Sequence, residues 1–410
     1  MKLYDLVRGI GWLTLGVGLS SLFNLLFHFS MGNLLDPTDF SAIVAVLSLI
    51  SLISLPLGAL ETETASIIAV SKFREKTPSH SQYYDRFKIS PLAEFCLFII
   101  CLIISIPTLF PLIGMESFTI STFFAIMIIL SSRLRIRIGI FQGFQNFNNM
   151  ALISISNSTI RLFIGVAAIS FLGIGLIGGF SGIFIGFLAA LFISHKLSED
   201  EPQSSNELPI REPRYFHVML VLSLTGWIMN WDYIVATNLF SEIEIPVYAY
   251  SVVLAKVAII FSFPIVGSLV PKMAESEDTE VTSTLFFHQI AYLLLILPFG
   301  LLLYKFEQNI LELLFFNSDI DLGGSVVFKL FLGYVAVSLT LITVYAAISR
   351  GDHLRFVPLI ALSLSFPFLA IYSSQDVGEL ANIVALCSWI IFILSIAMFS
   401  LFTRKVTLVN

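Results

Sequence analysis

Long apolar runs, broken at short and regular intervals by charged, Pro-rich or Asn/Gly-rich segments, dominate the chain. A helix rises about 1.5 Å per residue, so about 20 apolar residues cross a hydrocarbon core of roughly 30 Å. Cut at its interruptions, the sequence predicts twelve such helices, at about 10–31, 41–70, 92–113, 117–138, 150–172, 174–195, 215–239, 247–270, 284–304, 324–348, 354–373 and 379–402. They consume roughly 250 residues, and the connections, averaging about a dozen residues, leave no room for a separate soluble domain. The predicted fold class is an all-α polytopic membrane protein.

Composition agrees. Of 410 residues, 57% are hydrophobic and 12% charged, whereas a soluble globule keeps about 25% charged to wet its surface. Cytosolic enzymes, nucleic-acid binders and disordered scaffolds are thereby excluded. Cys96, Cys101 and Cys387 lie in apolar runs and read as small buried hydrophobes. The net charge of −6 says less than where the charges stand. With the N-terminus cytoplasmic, eighteen Lys and Arg fall in inner connections, among them Lys2, Arg8, Lys72, Arg74, Arg133, Arg135, Arg137, Arg211 and Arg350. Only Lys305 falls outside, where the loops are acidic, with Asp36, Asp39, Glu116, Glu307, Asp319 and Asp321. This is the positive-inside pattern, and it places both termini in the cytoplasm. The first apolar run continues to Met31 without an A-x-A site, so it is read as a retained span.

The chain repeats itself. Asn33-Leu34-Leu35 closes the first span and Asn238-Leu239-Phe240 the seventh; Ser54-Leu55-Pro56-Leu57 in the second span answers Ser262-Phe263-Pro264-Ile265 in the eighth, at offsets of 205 and 208. The longest polar run, 196–214, lies between the halves. The expected organisation is therefore a six-helix bundle at 1–196, a cytoplasmic linker at 197–214 and a second six-helix bundle at 215–410. Six spans per half is an even number, so the bundles would share one orientation about a pseudo-two-fold axis along the membrane normal.

Three segments carry a resemblance: Arg8-Gly9-Ile10-Gly11-Trp12, Gly32-Asn33-Leu34-Leu35-Asp36-Pro37-Thr38-Asp39-Phe40, and SLISLPLGALETETASIIA at 51–69. They resemble the N-terminal third of bacterial polysaccharide flippases of the multidrug/oligosaccharidyl-lipid/polysaccharide (MOP) transporter superfamily. Ile140-Phe141-Gln142-Gly143-Phe144-Gln145-Asn146-Phe147 is similar to that family's L-Q-G-x-x-R-F stretch, with Asn146 where an Arg is usual. The similarity covers about the first 175 residues. It implies two six-helix bundles around a central cavity open alternately to each side. The implied cargo is an oligosaccharide on an undecaprenyl diphosphate carrier. Sugars and diphosphate cannot cross hydrocarbon unaided, while the lipid tail gains nothing by leaving it. A polar passage open sideways to lipid resolves that conflict. Membrane lipids, and a glycan polymerase or glycosyltransferases of the same pathway, are the partners such a protein would have.

Charges inside the bilayer mark candidate sites, because each costs at least about 2.5 kcal/mol at a helix centre unless it faces water or a partner. Arg161 and Lys256 fall roughly 14–17 Å deep by helical rise, near the midplane. They read either as cations for the cargo's diphosphate or as charges neutralised by a neighbouring helix, for instance by Asp232. Arg8 stands at the mouth of the first span, and Asn24 and His28 share one face of it; all three are candidates for cargo contact, with interhelical hydrogen bonding the alternative for Asn24 and His28. Glu61 and Asp232 are candidates for proton or sodium coupling. Pro56 and Pro264, at matching places in the two halves, read as hinges or as static kinks. Gly178, Gly182 and Gly186 form a small-xxx-small packing seam.

The sequence holds no G-x-x-x-x-G-K-[ST] loop, no H-E-x-x-H, no G-x-S-x-G and no histidines at ligand spacing. No cofactor, metal or nucleic acid is expected, and the chain reads as a transporter with no covalent chemistry. The alternatives are a cation-coupled multidrug exporter of the same fold and a membrane-embedded glycan polymerase or ligase, which would need its catalytic groups in the acidic 305–323 stretch. The topology predicts that a single cysteine at position 78 is labelled only from the cytoplasmic side and one at 317 only from outside, read with a membrane-impermeant maleimide.

Overall fold

The computed structural model describes residues 3–73, 80–113, 117–199, 215–241, 244–275, 280–315, 325–351 and 356–406. Among them there is no strand. The helices are α1 (Leu3–Leu34), α2 (Pro37–Phe73), α3 (His80–Phe87), α4 (Pro91–Ile113), α5 (Ser117–Gly143), α6 (Phe147–Leu172), α7 (Gly175–Glu199), α8 (Tyr215–Ile228), α9 (Trp231–Leu239), α10 (Glu244–Ala255), α11 (Val257–Glu275), α12 (Val281–Leu314), α13 (Val326–Arg350), α14 (Val357–Ser363), α15 (Phe366–Ser373) and α16 (Val377–Val406).

Among the described residues, ten helical segments are long and apolar enough to cross a bilayer, and α8 with α9, bent by 45° at their junction, pass the same test when taken together. The shorter apolar pair α14 and α15 occupies the place of the remaining expected span. The chain is thus a multi-pass, all-helical membrane protein. Inside lipid the backbone must bond to itself, and only helices or closed barrels do so. The expected spans miss the short connecting helix α3, whose His80 ring stacks on Phe144 at 4.1 Å. They also miss three interruptions within spans: at Met229–Asn230, at Lys256 and at Leu364–Ser365.

Local chemistry explains the ends. Asn146 is the N-cap of α6, its side chain accepting from the Asn149 N–H, so the position that departs from the flippase pattern starts a helix here. Gly173 (φ 63) and Gly351 (φ 77) close α6 and α13 in the left-handed conformation, which glycine adopts without a Cβ penalty. A proline in the first turn of α15 needs no backbone donor there. Glu307, next to a kink at Phe306 in α12, accepts the N–H groups of Val327 at 2.9 Å and Phe328 at 3.2 Å and so caps α13. Pro56 and Pro264 lie inside α2 and α11, and neither helix is interrupted at its proline.

By contact density the chain forms two compact units. The first holds residues up to Leu35 and Leu49–Met219; the second holds Asp36–Ser48 and everything from Leu220. Helix α2 therefore gives its first twelve residues to the second unit and its remainder to the first, a division that no polar linker marks. Residues 200–214, most of the expected linker, lie outside the described set, as do positions 78 and 317.

In the first unit α6 packs between α1 and α7, and α5 against α4 and α7. In the second, α13 packs against α10, α11, α12 and α16, and 83% of its most apolar window is buried. On α12 the stripe Phe287, Ile290, Leu294, Leu297 and Leu301 is exposed, the lipid-facing counterpart of an amphipathic pattern turned inside out.

The glycines of α7 set the closest approach. A Cβ on Gly182 would stand 2.7 Å from the Arg161 carbonyl oxygen and the Gly165 backbone, and one on Gly186 would stand 2.8 Å from the Asn157 carbonyl oxygen. A Cβ on Gly18 would meet nothing within 4 Å. Gly182→Val should therefore cost about 2 kcal/mol or more through overpacking, seen as a lower unfolding midpoint in detergent, while Gly18→Ala should leave stability unchanged or raise it.

Candidate functional site

In the first unit polar side chains gather where α1 meets α6. Arg161 Nη1 donates to Asn24 Oδ1 at 3.0 Å, across 137 residues of sequence. The guanidinium carbon lies 5.7 Å from the centre of the Phe187 ring, which the glycine face of α7 brings against it. Arg161 Nε is buried and has no hydrogen-bond partner, and the same holds for Asn157 Oδ1 one turn earlier on α6. No carboxylate among the described residues lies within 4 Å of the guanidinium. Ser20 adds a hydrogen bond to the Ser154 carbonyl at 3.1 Å on the same seam. His28, one turn beyond Asn24, sets its ring edge-on to Phe27 at 6.1 Å. A guanidinium carries five donors, and here one oxygen acceptor and one aromatic face engage it. The arrangement can receive an anion.

The other arginines contrast with it. Arg133 makes a two-pronged contact with Glu94 at 2.7 Å for each hydrogen bond, and Arg135 Nη1 donates to Glu61 Oε2 at 2.8 Å. Arg137 lies over the Tyr84 ring at 4.1 Å. These charges are satisfied by neighbouring helices, and Glu61 is engaged with them. Arg8 lies in α1, but its side chain is outside the described set.

The second unit builds a separate polar centre at its helix breaks. Asn230 caps α9 at the bend after α8, and Asp232 follows in the first turn, where the helix dipole favours a carboxylate. Asp232 is fully buried. Its Oδ2 accepts from Tyr248 Oη at 2.8 Å and from Tyr334 Oη at 2.6 Å, while its Oδ1 has no hydrogen-bond partner. Lys256, at the turn between α10 and α11, donates from Nζ to Asn230 Oδ1 at 3.0 Å and to Ser48 Oγ at 3.4 Å. The ammonium also lies 5.6 Å from the centre of the Tyr334 ring, whose hydroxyl holds the carboxylate. Asp232 and Lys256 share this centre without a direct ion pair.

The sequence reading therefore found Arg161, Asn24, Lys256 and Asp232, with Asp232 as a possible neutraliser of either cation, and the fold joins Arg161 to Asn24 directly and Lys256 to Asp232 through the Tyr334 side chain. It missed Asn157, Asn230, Ser48, Tyr248 and Tyr334. Asn157 had a signal, since it stands four residues before Arg161 on one helix face. The tyrosines had none. Trp231 is buried with its ring 6.0 Å from Phe366. Asp319 and Asp321 lie outside the described residues.

Comparison with known proteins adds three findings. Residues 6–206 match the family of polysaccharide biosynthesis proteins. The fold is similar to that of a multidrug resistance MATE family transporter of the MOP superfamily in its inward-facing conformation, with a TM-score of 0.72 and 14% identity, covering 95% of each chain. It is also similar to a MOP superfamily transporter from Pyrococcus furiosus, described as having a binding pocket of reverse polarity that suggests a different function, with a TM-score of 0.63, 14% identity and coverage of 98% of this chain and 96% of that one. No curated protein matches the sequence closely. A fold like that of MOP superfamily transporters over nearly the whole length is thus joined to a match with polysaccharide biosynthesis proteins over residues 6–206.

Proposed function

We propose that the protein carries an oligosaccharide linked to an undecaprenyl-diphosphate-type lipid across the bacterial cytoplasmic membrane, by alternating access and without covalent chemistry. Both termini lie in the cytoplasm on this reading, and glycosyltransferases and a glycan polymerase supply and consume the cargo. The observation that carries it is Arg161: a guanidinium deep in a membrane helix, with an amide for a partner, no carboxylate, and a buried Nε left unbonded. Such a group is costly in hydrocarbon unless an anion joins it. A diphosphate matches its donor fork with bidentate geometry, and Asn24 and Asn157 supply amides to sugar hydroxyls beside it. The polysaccharide-biosynthesis match in the same half of the chain supports a glycan cargo. Arg8 and His28 remain candidate contacts along α1.

We assign Lys256 and Asp232 to the polar centre of the second unit rather than to cargo contact, because the Lys256 ammonium is already held by Asn230 and Ser48 and one Asp232 oxygen by two tyrosines. Glu61, held by Arg135, we assign to anchoring α2 against α5. Pro56 and Pro264 leave their helices continuous, so the breaks at Asn230 and Lys256 are the better places for bending. The rival reading, cation-coupled drug export, draws on the MATE fold and on the unbonded Asp232 Oδ1.

Arg161→Ala should lower glycan export at least tenfold, equivalent to about 1.4 kcal/mol of lost interaction, with Arg161→Lys intermediate because the charge survives and the fork does not. Export is read as surface polysaccharide in cells, with membrane insertion and the unfolding midpoint as controls; normal export by a folded Arg161→Ala protein would refute the assignment. In drug-susceptibility assays, Asp232→Asn should leave resistance unchanged if the cargo is a glycan, and should abolish it under the rival reading.

A further inference from the structure

A buried carboxylate needs a countercharge, and around Asp232 the helices that pack on α9 supply few candidates. Helix α10 carries Glu244, which bonds the Ser241 hydroxyl and amide outside the centre. Helix α15 has no charged residue, α13 has Lys329 and Arg350 only at its two ends, and α16 begins with Glu379, which accepts from the Gln375 N–H. Among the described residues of these helices, Lys256 is the cation nearest Asp232 in the bonding network. Its ammonium is not in contact with the carboxylate; it is held at one remove, by an amide oxygen, a hydroxyl oxygen and an aromatic face. The two oxygens are of the kind a hard cation takes, neutral oxygens close by with a carboxylate to balance the charge. The Oδ1 of Asp232 is fully buried and without a hydrogen-bond partner, on the carboxylate that the ammonium reaches through the Tyr334 side chain.

We propose that the Lys256 ammonium is the resident cation of the second unit, standing where this group of oxygens would otherwise bind an alkali metal ion, so that the protein is indifferent to sodium. Removing the ammonium exposes the latent site: Asn230 Oδ1, Ser48 Oγ and Asp232 Oδ1 then bind sodium. The inference goes beyond the cargo assigned above and holds for a drug as for a glycan, since the ammonium is fixed by the chain itself.

The experiment uses the full-length protein in detergent. Unfolding midpoints are compared in sodium chloride and in choline chloride at equal ionic strength. Wild-type protein should show no difference. Lys256→Met and Lys256→Ser should both melt lower in choline and recover by about 2 °C or more in sodium, as expected of a ligand that binds only the folded state, and the recovery should vanish when Asp232→Asn is added. Methylammonium, which replaces the missing head group, should stabilise Lys256→Ala and leave Lys256→Met less affected. Sodium-dependent stabilisation of the wild type would overturn the proposal, as would a folded Lys256 variant that responds to neither sodium nor methylammonium. Should neither Lys256→Met nor Lys256→Ser fold, radioactive sodium binding to wild-type protein decides: saturable binding refutes the resident role, and its absence together with methylammonium recovery of Lys256→Ala upholds it. Failure of glycan export in Arg161→Ala is read separately and is unaffected by either outcome.

Discussion

Hydrocarbon offers no hydrogen bonds and screens no charge, and nearly every feature of this chain answers to that. The backbone closes on itself in helices wherever it is surrounded by lipid. Arg133 and Arg135 of α5 are matched by carboxylates from α4 and α2, and Glu307 is absorbed by the free amides at the start of α13. Against so consistent a pattern, the places where polarity is left over are informative. Among the described residues, two of the buried atoms without a hydrogen-bond partner belong to an arginine and an aspartate: the Nε of Arg161 beside Asn157, and the Oδ1 of Asp232 near Lys256. An arrangement that loses stability by leaving such groups unmatched is explained when something else is meant to meet them.

The glycine face of α7 links packing to that chemistry. Small residues allow α7 to lie backbone to backbone on α6 at the turn that carries Arg161. The same approach brings Phe187 beneath the guanidinium, so the arginine is held from one side by a ring and from the other by Asn24. The seam and the candidate site are therefore one construction, since a bulkier residue at Gly186 would displace the side chain of Asn157 along with its helix.

The spans were legible because apolar runs of membrane length have few other solutions, and the described part of each predicted span is mostly helix, broken at Met229–Asn230, Lys256 and Leu364–Ser365. The breaks were not, because Asn230 and Lys256 stand within sequences whose hydropathy never falls; a single polar residue in an apolar run looks alike whether the helix turns at it or continues. Arg161 and Asp232 were visible as charges in the wrong solvent. Their partners were hidden for a different reason. Tyr248 and Tyr334 are aromatic residues among many aromatic residues, and only the third dimension distinguishes a hydroxyl aimed at a carboxylate from one at a lipid boundary. Asn24 and Arg161 were both singled out, yet nothing local connects residues 137 apart.

Helix α2 is divided between two bodies, and this bears on how the protein comes into being. Phe40 stacks on Tyr250 at 4.6 Å, the Ser41 carbonyl accepts from Tyr233 at 2.8 Å, and Ser48 receives Lys256, yet all three residues are synthesised 192 or more positions before the groups they serve. The later half of the chain thus borrows a wall from the earlier one. During translation that wall must wait in the membrane, unpaired, until the ribosome has delivered α9 and α10. A gene cut at the polar stretch would yield two fragments of which neither is self-sufficient: the C-terminal piece would lack the segment that closes its polar centre, and the N-terminal piece would carry a stub with nothing to grip.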